Sequence, residues 1–274
     1  LEEKPLWKKF RDGGKLDDFK VYDVHGHSGL HTRGWFLRDG DPETYLETLA
    51  RHMDGNGVDT LFLSGEEALF GDVLPGNRKL EEYAKSYPGR FRGYFVYNPM
   101  YKDELSTAVL DDFFSRGFWA GFKLLPSYWH VRITDPAFDP VWEYAEKHCL
   151  PVLIHTWNDS WNSPSMLRDI VKKYPNASFL LGHSGGGTPG RLEAEELAAE
   201  NPNVYLEFCG TFCSDRSMVK AFELLGPGRI MFGSDTGAHN ESYELSGFLS
   251  LPLPDRELIS ALHDNMAKIL EKRR

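Results

Sequence analysis

Residues 20–27 read KVYDVHGH, an apolar run that ends in two histidines. A β-strand points alternate side chains to one face, so Asp23, His25 and His27 are predicted to share a face. Two imidazoles at a strand end can reach one ion, and imidazole suits zinc, iron, nickel and copper. The pair alone does not separate a metal site from two histidines that contact only solvent or backbone.

Seven further runs of the same character follow along the chain. They are VDTLFLS (58–64), FRGYFVYN (91–98), FWAGFKLLP (118–126), PVLIHTW (151–157), ASFLLGHS (177–184), NVYLEFCG (203–210) and RIMFGSDTG (229–237). Helical periodicity is predicted between and after them, over 42–53, 77–87, 103–116, 137–148, 163–174, 191–200, 217–225 and 254–274. This alternation predicts a parallel sheet, and eight repeats allow a slightly distorted (β/α)8 TIM barrel. A doubly wound open sheet is the alternative, although GHSGL after the first strand is not the Gly-rich phosphate loop expected there.

Length and composition fit a single barrel domain over residues 1–274, with 1–19 as an N-terminal extension beneath or beside the barrel. The hydrophobic content is 41% and the charged content is 26%, which is typical of soluble globular proteins. No run approaches the roughly 18–20 apolar residues of a spanning helix. The first residues lack an apolar signal core, although residue 1 is Leu and a leader could have been removed. We therefore expect a cytoplasmic protein.

The net charge of −10 disfavours nucleic acid and anionic membranes as partners. An anionic substrate stays compatible with that charge, because a bound cation reverses the local potential. The three cysteines, Cys149, Cys209 and Cys213, show neither a CxxC pair nor a neighbouring histidine. We expect all three to be buried small hydrophobic residues.

Three more residues strengthen the metal hypothesis. His155, His183 and Asp235 end the fifth, sixth and eighth predicted strands. The C-terminal ends of barrel strands converge on one rim, where the active sites of this fold lie. A single histidine there is most often a hydrogen-bonded core residue, but this combination favours a metal-dependent enzyme.

The motifs DVHGH, IHT, GHSGG and FGSD, in this order, resemble those of the amidohydrolase superfamily. They are most similar to the amidohydrolase-2 branch, which includes aminocarboxymuconate semialdehyde decarboxylase, related decarboxylases and lactone hydrolases. The resemblance extends from about residue 20 to the last strand. It implies four metal ligands: His25, His27, His155 and Asp235. It further implies that His183 is a catalytic acid/base and that Asp23 supports the ligands.

Lys123, in GFKLLP on the fourth strand, occupies the position where binuclear relatives carry a carboxylated, bridging lysine. Many members of the branch have one metal and no bridge. We expect one divalent ion, with Lys123 contacting substrate or an aspartate. Three histidines and one carboxylate suit Zn2+ best, with Mn2+, Fe2+ or Co2+ as alternatives.

The first functional hypothesis is hydrolysis of an ester, lactone or amide. A metal lowers the pKa of bound water to about 7, so hydroxide becomes available to attack the carbonyl. Asp235 would accept the water's proton, and His183 would donate to the leaving group or polarise the carbonyl. Decarboxylation is the alternative, since both reactions use the same ligands. A metal-free hydrolase and a non-catalytic binding barrel are further alternatives, and the complete set of histidines argues against the latter.

The loops after the strands are rich in aromatic and basic residues, which suits a small cyclic or aromatic substrate with a carboxylate. We predict these substrate-binding residues: Arg33, Trp129, Arg132, Trp157 and Arg191. Glu207, near the end of the seventh strand, faces either the pocket or a basic neighbour. The loop aromatics also suggest a homodimer or higher homo-oligomer.

Overall fold

Eight parallel strands form a nearly closed barrel with helices between them, which confirms the predicted (β/α)8 fold. The structure is a computed structural model that describes residues 4–29, 42–210 and 214–274. The strands are β1 (Tyr22–Ser28), β2 (Thr60–Gly65), β3 (Phe91–Val96), β4 (Trp119–Leu124), β5 (Pro151–His155), β6 (Ser178–Gly182), β7 (Val204–Phe208) and β8 (Ile230–Phe232). Each strand pairs in parallel with the next one along the chain.

The barrel closes between β1 and the residues that follow β8. The Asp235 backbone N–H donates to the His25 carbonyl at 2.8 Å, and the His27 N–H donates to the Thr236 carbonyl at 2.8 Å. The register of β1 against β2 also shifts between Asp23 and Gly26. The distortion of the barrel therefore lies beside the paired histidines.

Helices follow the strands, with bounds close to those predicted. The α-helices are α1 (Pro5–Arg11), α2 (Pro42–Asn56), α3 (Glu66–Phe70), α4 (Val73–Ala84), α5 (Thr107–Ser115), α6 (Pro126–Trp129), α7 (Asp139–His148), α8 (Arg168–Lys173), α9 (Thr188–Glu200), α10 (Asp215–Leu225), α11 (Glu241–Ser250), α12 (Asp255–Ile259) and α13 (Asn265–Glu271). Short 3-10 helices span Pro99–Tyr101, Pro136–Phe138, Pro164–Leu167, His183–Gly185 and Pro227–Arg229, and a π-helical segment, Ser260–Asp264, joins α12 to α13.

Helix α11 was not among the predicted elements. Its signal is present in the sequence, because Leu245, Phe248 and Leu249 recur at helical spacing and are buried. Asn240 caps the helix by accepting a hydrogen bond from the backbone N–H of Tyr243. The segment was missed because it follows the eighth strand, where one closing helix was already predicted further on.

The barrel interior has an apolar layer below a polar one. Each strand contributes one side chain to the apolar layer: Val24, Phe62, Tyr94, Ala120, Leu153, Leu180, Tyr205 and Met231. Two residues further along, the same face of a strand carries Ser64, His155 or Glu207. Helix α13 adds Met266 and Ile269 to the apolar layer. The fold thus places polar side chains together at the C-terminal ends of the strands.

The N-terminal segment packs beside the last helices. The Lys4 ammonium donates to the Leu249 carbonyl at 2.7 Å, and the Leu6 N–H donates to the Asp255 carboxylate at 3.0 Å. The Leu16 N–H bonds to the Asn56 carbonyl at the end of α2. In the parts of the chain that the structure describes, no helix has the length and apolar character needed to cross a membrane.

Candidate metal centre and active site

Two histidines of β1 and one aspartate after β8 converge on one point. The Nε2 atoms of His27 and His25 lie 3.0 and 3.4 Å from the same Asp235 oxygen, Oδ1. The His25 side chain is fully buried, and that of His27 is 13% exposed. Two imidazole nitrogens and a carboxylate oxygen within reach of one another form a donor set that divalent ions bind.

Partners on the far side of each ring indicate where its proton lies. The Nδ1 atom of His25 is 3.0 Å from the Glu207 carboxylate, so Nδ1 carries the proton and Nε2 presents its lone pair to Asp235. The Nδ1 atom of His27 is 2.9 Å from the Ser64 hydroxyl, which itself donates to the Gly26 carbonyl at 3.4 Å. The hydroxyl can therefore accept from His27 Nδ1, which leaves the Nε2 lone pair of His27 facing Asp235. Two imidazole lone pairs and a carboxylate that converge on one point can bind a cation, and the site fits a metal ion on this ground.

Burial keeps the imidazoles of the site in the form that binds metals. It lowers the pKa of His25 and of His155 well below the usual value, and it lowers the pKa of His183 to about 4. A neutral imidazole is the ligand form of histidine and also a form that can accept a proton.

Backbone strain marks the ends of β6 and β8. His183, Ser184 and Asp235 have φ angles of 63°, 47° and 54°, in the left-handed region that favours glycine. Glu207 holds the first two residues, because its Oε2 accepts from the His183 N–H at 3.1 Å and its carbonyl accepts from the Ser184 hydroxyl at 2.9 Å. Strained residues persist where their surroundings determine them, and such residues cluster at active sites.

His155 lies beside His183 on the same rim. The two ring centroids are 4.7 Å apart, and Trp157 stacks on His155 at 6.0 Å with an interplanar angle of 8°. The Tyr128 ring meets His155 edge-on at 5.3 Å. None of the close donor groups found among the described residues includes His155. The five predicted His and Asp residues are therefore neighbours, with His155 further from the convergence point than the other predicted ligands.

Lys123 projects into the same polar layer. Its side chain is fully buried, and its Nζ atom lies 2.6 Å from His25 Nε2. Burial lowers the pKa of Lys123. The nearby charge of Asp235 opposes this effect of burial, and the contact with substrate stays a prediction.

The structure places the predicted substrate-binding residues in different surroundings. Trp157 lines the His155–His183 pair, with its ring 6.0 Å from that of His183. Trp129 donates its indole N–H to the Leu69 carbonyl at 2.8 Å, and Arg191 forms an ion pair with Glu195 on the same helix. Arg132 is exposed, and Arg33 lies outside the described residues.

Sequence reasoning missed the environment of Cys209. Cys209 is buried as expected, but its sulfur lies 3.1 Å from His25 Nδ1 and 3.2 Å from His183 Nδ1, two polar contacts that were not expected. The reason is that these contacts join distant parts of the chain. Alternation along β7 could have found them, since it places residues 205, 207 and 209 on the inner face. Cys149 is buried as expected, and Cys213 is outside the described residues.

His239 and Glu244 extend the site on the side of Asp235. The two ring nitrogens of His239 lie 3.7 Å from Asp235 Oδ2 and 3.7 Å from Glu244 Oε1. Burial, followed by the charge of Asp235, raises the pKa of Glu244 to about 7. The sequence analysis did not predict that His239 belongs to the site, and its only indication in the sequence was the spacing of four residues from Asp235.

A comparison with family models gives a match over residues 22–272, to the family described as amidohydrolase and designated Amidohydro_2. The chain belongs to the amidohydrolase family. It is accordingly an amidohydrolase-type enzyme of the amidohydrolase-2 branch, as the sequence motifs predicted. The family is metal-dependent, in agreement with the donor set of His25, His27 and Asp235. No curated protein matches this amidohydrolase in sequence.

Several solved structures share the fold of this amidohydrolase. 2,6-Dihydroxybenzoate decarboxylase from Rhizobium has a TM-score of 0.72 at 16% identity, over 92% of this chain and 98% of the other. A dihydroxybenzoic acid decarboxylase from Polaromonas, solved with bound manganese and an inhibitor, has a TM-score of 0.68 at 17% identity, over 92% and 97%. A probable 2-pyrone-4,6-dicarboxylic acid hydrolase from Acinetobacter baumannii has a TM-score of 0.71 at 13% identity, over 92% and 100%. At these identities the likeness shows a common architecture.

Proposed function

We propose that this amidohydrolase is a metal-dependent hydrolase that opens an ester, lactone or amide of a small cyclic or carboxylate-bearing substrate. The observation that carries the proposal is the convergence of His25, His27 and Asp235 on one point beside the buried His183. One divalent ion would be held by these three residues, with His155 as the fourth ligand. When bound, the ion would polarise a carbonyl and make water reactive at neutral pH.

The protein's own groups would handle the protons of the reaction. The Asp235 carboxylate is an acceptor held in a strained backbone conformation, and it would take up the proton of the attacking water. His183 turns Nδ1 toward Cys209, so its Nε2 is the nitrogen that would hydrogen-bond the substrate carbonyl or leaving group. A pKa of about 4 favours the neutral ring, which can accept or donate a hydrogen bond at Nε2.

The substrate would lie against the aromatic side of the rim. Trp157 stacks flat on His155 and meets His183 edge-on, so it offers one wall to a planar ring. Arg132 is exposed and would supply a clamp for a carboxylate, together with Arg33. Trp129 and Arg191 would act through packing, since the indole N–H and the guanidinium already have protein partners.

Decarboxylation of an aromatic acid is the second candidate. Structures with the same fold include the Rhizobium and Polaromonas decarboxylases, and Trp157 beside His155 would suit an aromatic substrate equally well. Measuring CO2 release against acid release over a panel of lactones and aromatic acids separates the two reactions. Acid release without CO2 supports hydrolysis, and CO2 release from an aromatic acid assigns the lyase reaction instead.

Zn2+ is the ion that we propose first, because three histidines and one carboxylate form a set that zinc accepts readily. Mn2+, Fe2+ and Co2+ are the alternatives, and the manganese in the Polaromonas decarboxylase gives Mn2+ the strongest claim among them. Elemental analysis of protein from cells grown without added metal identifies the ion.

The role of His183 is tested by the substitution His183→Asn. We expect the variant to keep its metal and its fold but to lose turnover on any substrate found in the panel, because the ring that exchanges a proton with the substrate is gone. The matched control is His148→Asn at the end of α7, which precedes β5 and so lies at the opposite end of the barrel. Activity that survives in His183→Asn contradicts the assigned role.

A further inference from the structure

Glu207 is a buried carboxylate that the proposed chemistry does not use. Its side chain is fully buried on β7, two residues after Tyr205, which belongs to the apolar layer. A buried carboxylate is costly unless hydrogen bonds compensate for its lost hydration. Oε2 of Glu207 has three such partners: His25 Nδ1 at 3.0 Å, the His183 backbone N–H at 3.1 Å and the Cys209 thiol at 3.1 Å.

The first of these partners fixes the orientation of His25. With Nδ1–H donating to Glu207, the ring cannot rotate without losing a buried hydrogen bond, and its Nε2 stays directed at Asp235 and Lys123. A carboxylate behind an imidazole also makes the opposite nitrogen a stronger donor to a cation. Glu207 therefore determines both the direction and the basicity of His25 Nε2.

The second partner connects the same carboxylate to His183. The His183–Ser184 turn has two consecutive left-handed non-glycine residues, and Glu207 binds both of them, through Oε2 and through its main-chain carbonyl. The rings of His25 and His183 lie 5.1 Å apart. A displacement of Glu207 would move both rings together.

Gly233 on the next strand leaves the space that Glu207 occupies. A Cβ atom at position 233 would lie 2.1 Å from Glu207 Oε1 and 2.7 Å from the His25 Cβ. The backbone of Gly233 is outside the left-handed region, so an alanine there is unfavourable because of the contact and not because of φ. Among the described residues, Glu207 Oε1 has no hydrogen-bond partner, and the missing Cβ of Gly233 leaves room for this oxygen.

We propose that Glu207 is a positioning residue that aligns a metal-binding histidine and the acid/base histidine through one carboxylate. The inference deepens the proposed function and rests on it, because His25 is taken as a metal ligand. The sequence predicted that Glu207 faces either the pocket or a basic neighbour. The inference gives this residue of β7 a defined role in the site.

A second ion held by His25, His183 and Cys209 is the competing explanation of the same cluster. The separations of 3.0–3.2 Å among His25, His183, Cys209 and Glu207 are those of hydrogen bonds and account for the cluster without an ion. An ion there would also need His25 to bind metal through both ring nitrogens. The hydrogen-bonded arrangement is therefore the simpler one.

The test combines Glu207→Gln, Glu207→Ala and Gly233→Ala with Glu81→Gln as the matched control. Glu81 is also a buried carboxylate, but it pairs with Arg116 and not with a histidine.

In metal-free protein, nitrogen NMR of the imidazoles is expected to show His25 protonated at Nδ1 in the wild type and the control, and a mixture of tautomers in the other variants. The Kd for Zn2+ and for Co2+, measured by competition with a chromophoric chelator, is expected to rise roughly 10–100-fold in Glu207→Ala and Gly233→Ala and less in Glu207→Gln.

Two results would overturn the inference. One is a wild-type tautomer and wild-type Kd in folded Glu207→Gln and Gly233→Ala proteins, which would leave Glu207 with a purely structural role. The other is a second ion with a thiolate-to-cobalt absorption band that Cys209→Ser removes. The NMR measurement needs no metal, so it decides the role of Glu207 even if the wild type binds no ion and the proposed function fails.

Discussion

At the scale of single residues, His25 is the most constrained side chain of the site. One ring nitrogen faces Glu207 and Cys209, and the other faces Asp235 and Lys123. Because the ring is fully buried, every one of these contacts is made in a medium of low dielectric constant, where hydrogen bonds and charges act strongly. The motif DVHGH predicted that His25 would be a ligand, but it could not reveal partners that come from β4 and β7.

Lys123 gives the first prediction at this scale. Its Nζ atom lies 2.6 Å from His25 Nε2, so an unmodified amine there contacts a single ligand and does not bridge two ions. Native intact-mass analysis under CO2-retaining conditions is expected to show an unmodified chain with one ion. An added carboxyl group together with two ions per chain would contradict the mononuclear account.

At the scale of secondary-structure elements, Asp23 is predicted to stabilise the junction between β1 and the residues after β8. The Asp23 carboxylate accepts from the backbone N–H groups of His25 and Ser234, at 3.2 and 2.9 Å, and from the Ser234 hydroxyl. Asp23→Ala leaves these buried donors without their acceptor, and we expect a loss of about 2–4 kcal/mol in the free energy of unfolding. Urea unfolding in chelator measures it, with the exposed Asp17→Ala as control. A loss below about 0.5 kcal/mol, the range of ordinary surface substitutions, would show that the junction does not depend on Asp23.

The N-terminus of α11 gives a prediction about pH. Burial raises the pKa of Glu241 to about 7, although the Asn56 amide and Arg90 favour its ionised form. The folded protein therefore holds a proton that the unfolded chain releases near pH 4.5. The stability contributed by protonated Glu241 is fully present below that pH and is lost as the pH rises through about 7.

Glu241→Gln removes the titrating group and keeps an oxygen for the Asn56 amide, which now bonds to Glu241 at 2.7 Å. We expect the free energy of unfolding of the wild type to fall by roughly 1–3 kcal/mol more than that of the variant between pH 5 and pH 8. Denaturant unfolding at both pH values measures the difference, and the exposed Glu223→Gln is the control. Parallel pH profiles of wild type and Glu241→Gln would refute the prediction.

The elements themselves were largely predictable from sequence. Strands β1–β8 match the predicted runs, with β1 and β2 each ending one residue later, because each run combines β-branched or aromatic residues with a following turn. Helix α11 was missed although its apolar spacing is helical, and the π-helical segment Ser260–Asp264 left no signal, because a change from i→i+4 to i→i+5 bonding alters no residue type. Residues 30–41, which include Arg33, lie outside the described structure.

At the scale of the whole molecule, the barrel brings together side chains that are far apart in sequence, as in the hydrogen bond from the Ser234 hydroxyl to the Asp23 carboxylate, which spans 211 residues. The sequence could predict that His25, His27, His155, His183 and Asp235 share a rim, because the fold alone requires it. It could not predict that Glu207 and Cys209 stand behind the histidines, or that Trp129 bonds to Leu69, because side-chain contacts depend on packing between non-neighbouring elements. The fold and the residues of the rim can thus be predicted from the sequence pattern. The contacts among the side chains of the polar layer are known only from the three-dimensional structure.

Metal content tests the central claim most directly. The protein is purified without chelator, and divalent ions are counted by elemental analysis in the wild type, in His27→Ala and in Asp235→Ala, with the remote His148→Asn as control. Since lone pairs of His25, His27 and Asp235 converge, the account predicts one ion per chain in the wild type and the control, and a strong loss in both site variants. A metal-free preparation that turns over substrate at the full rate would contradict it.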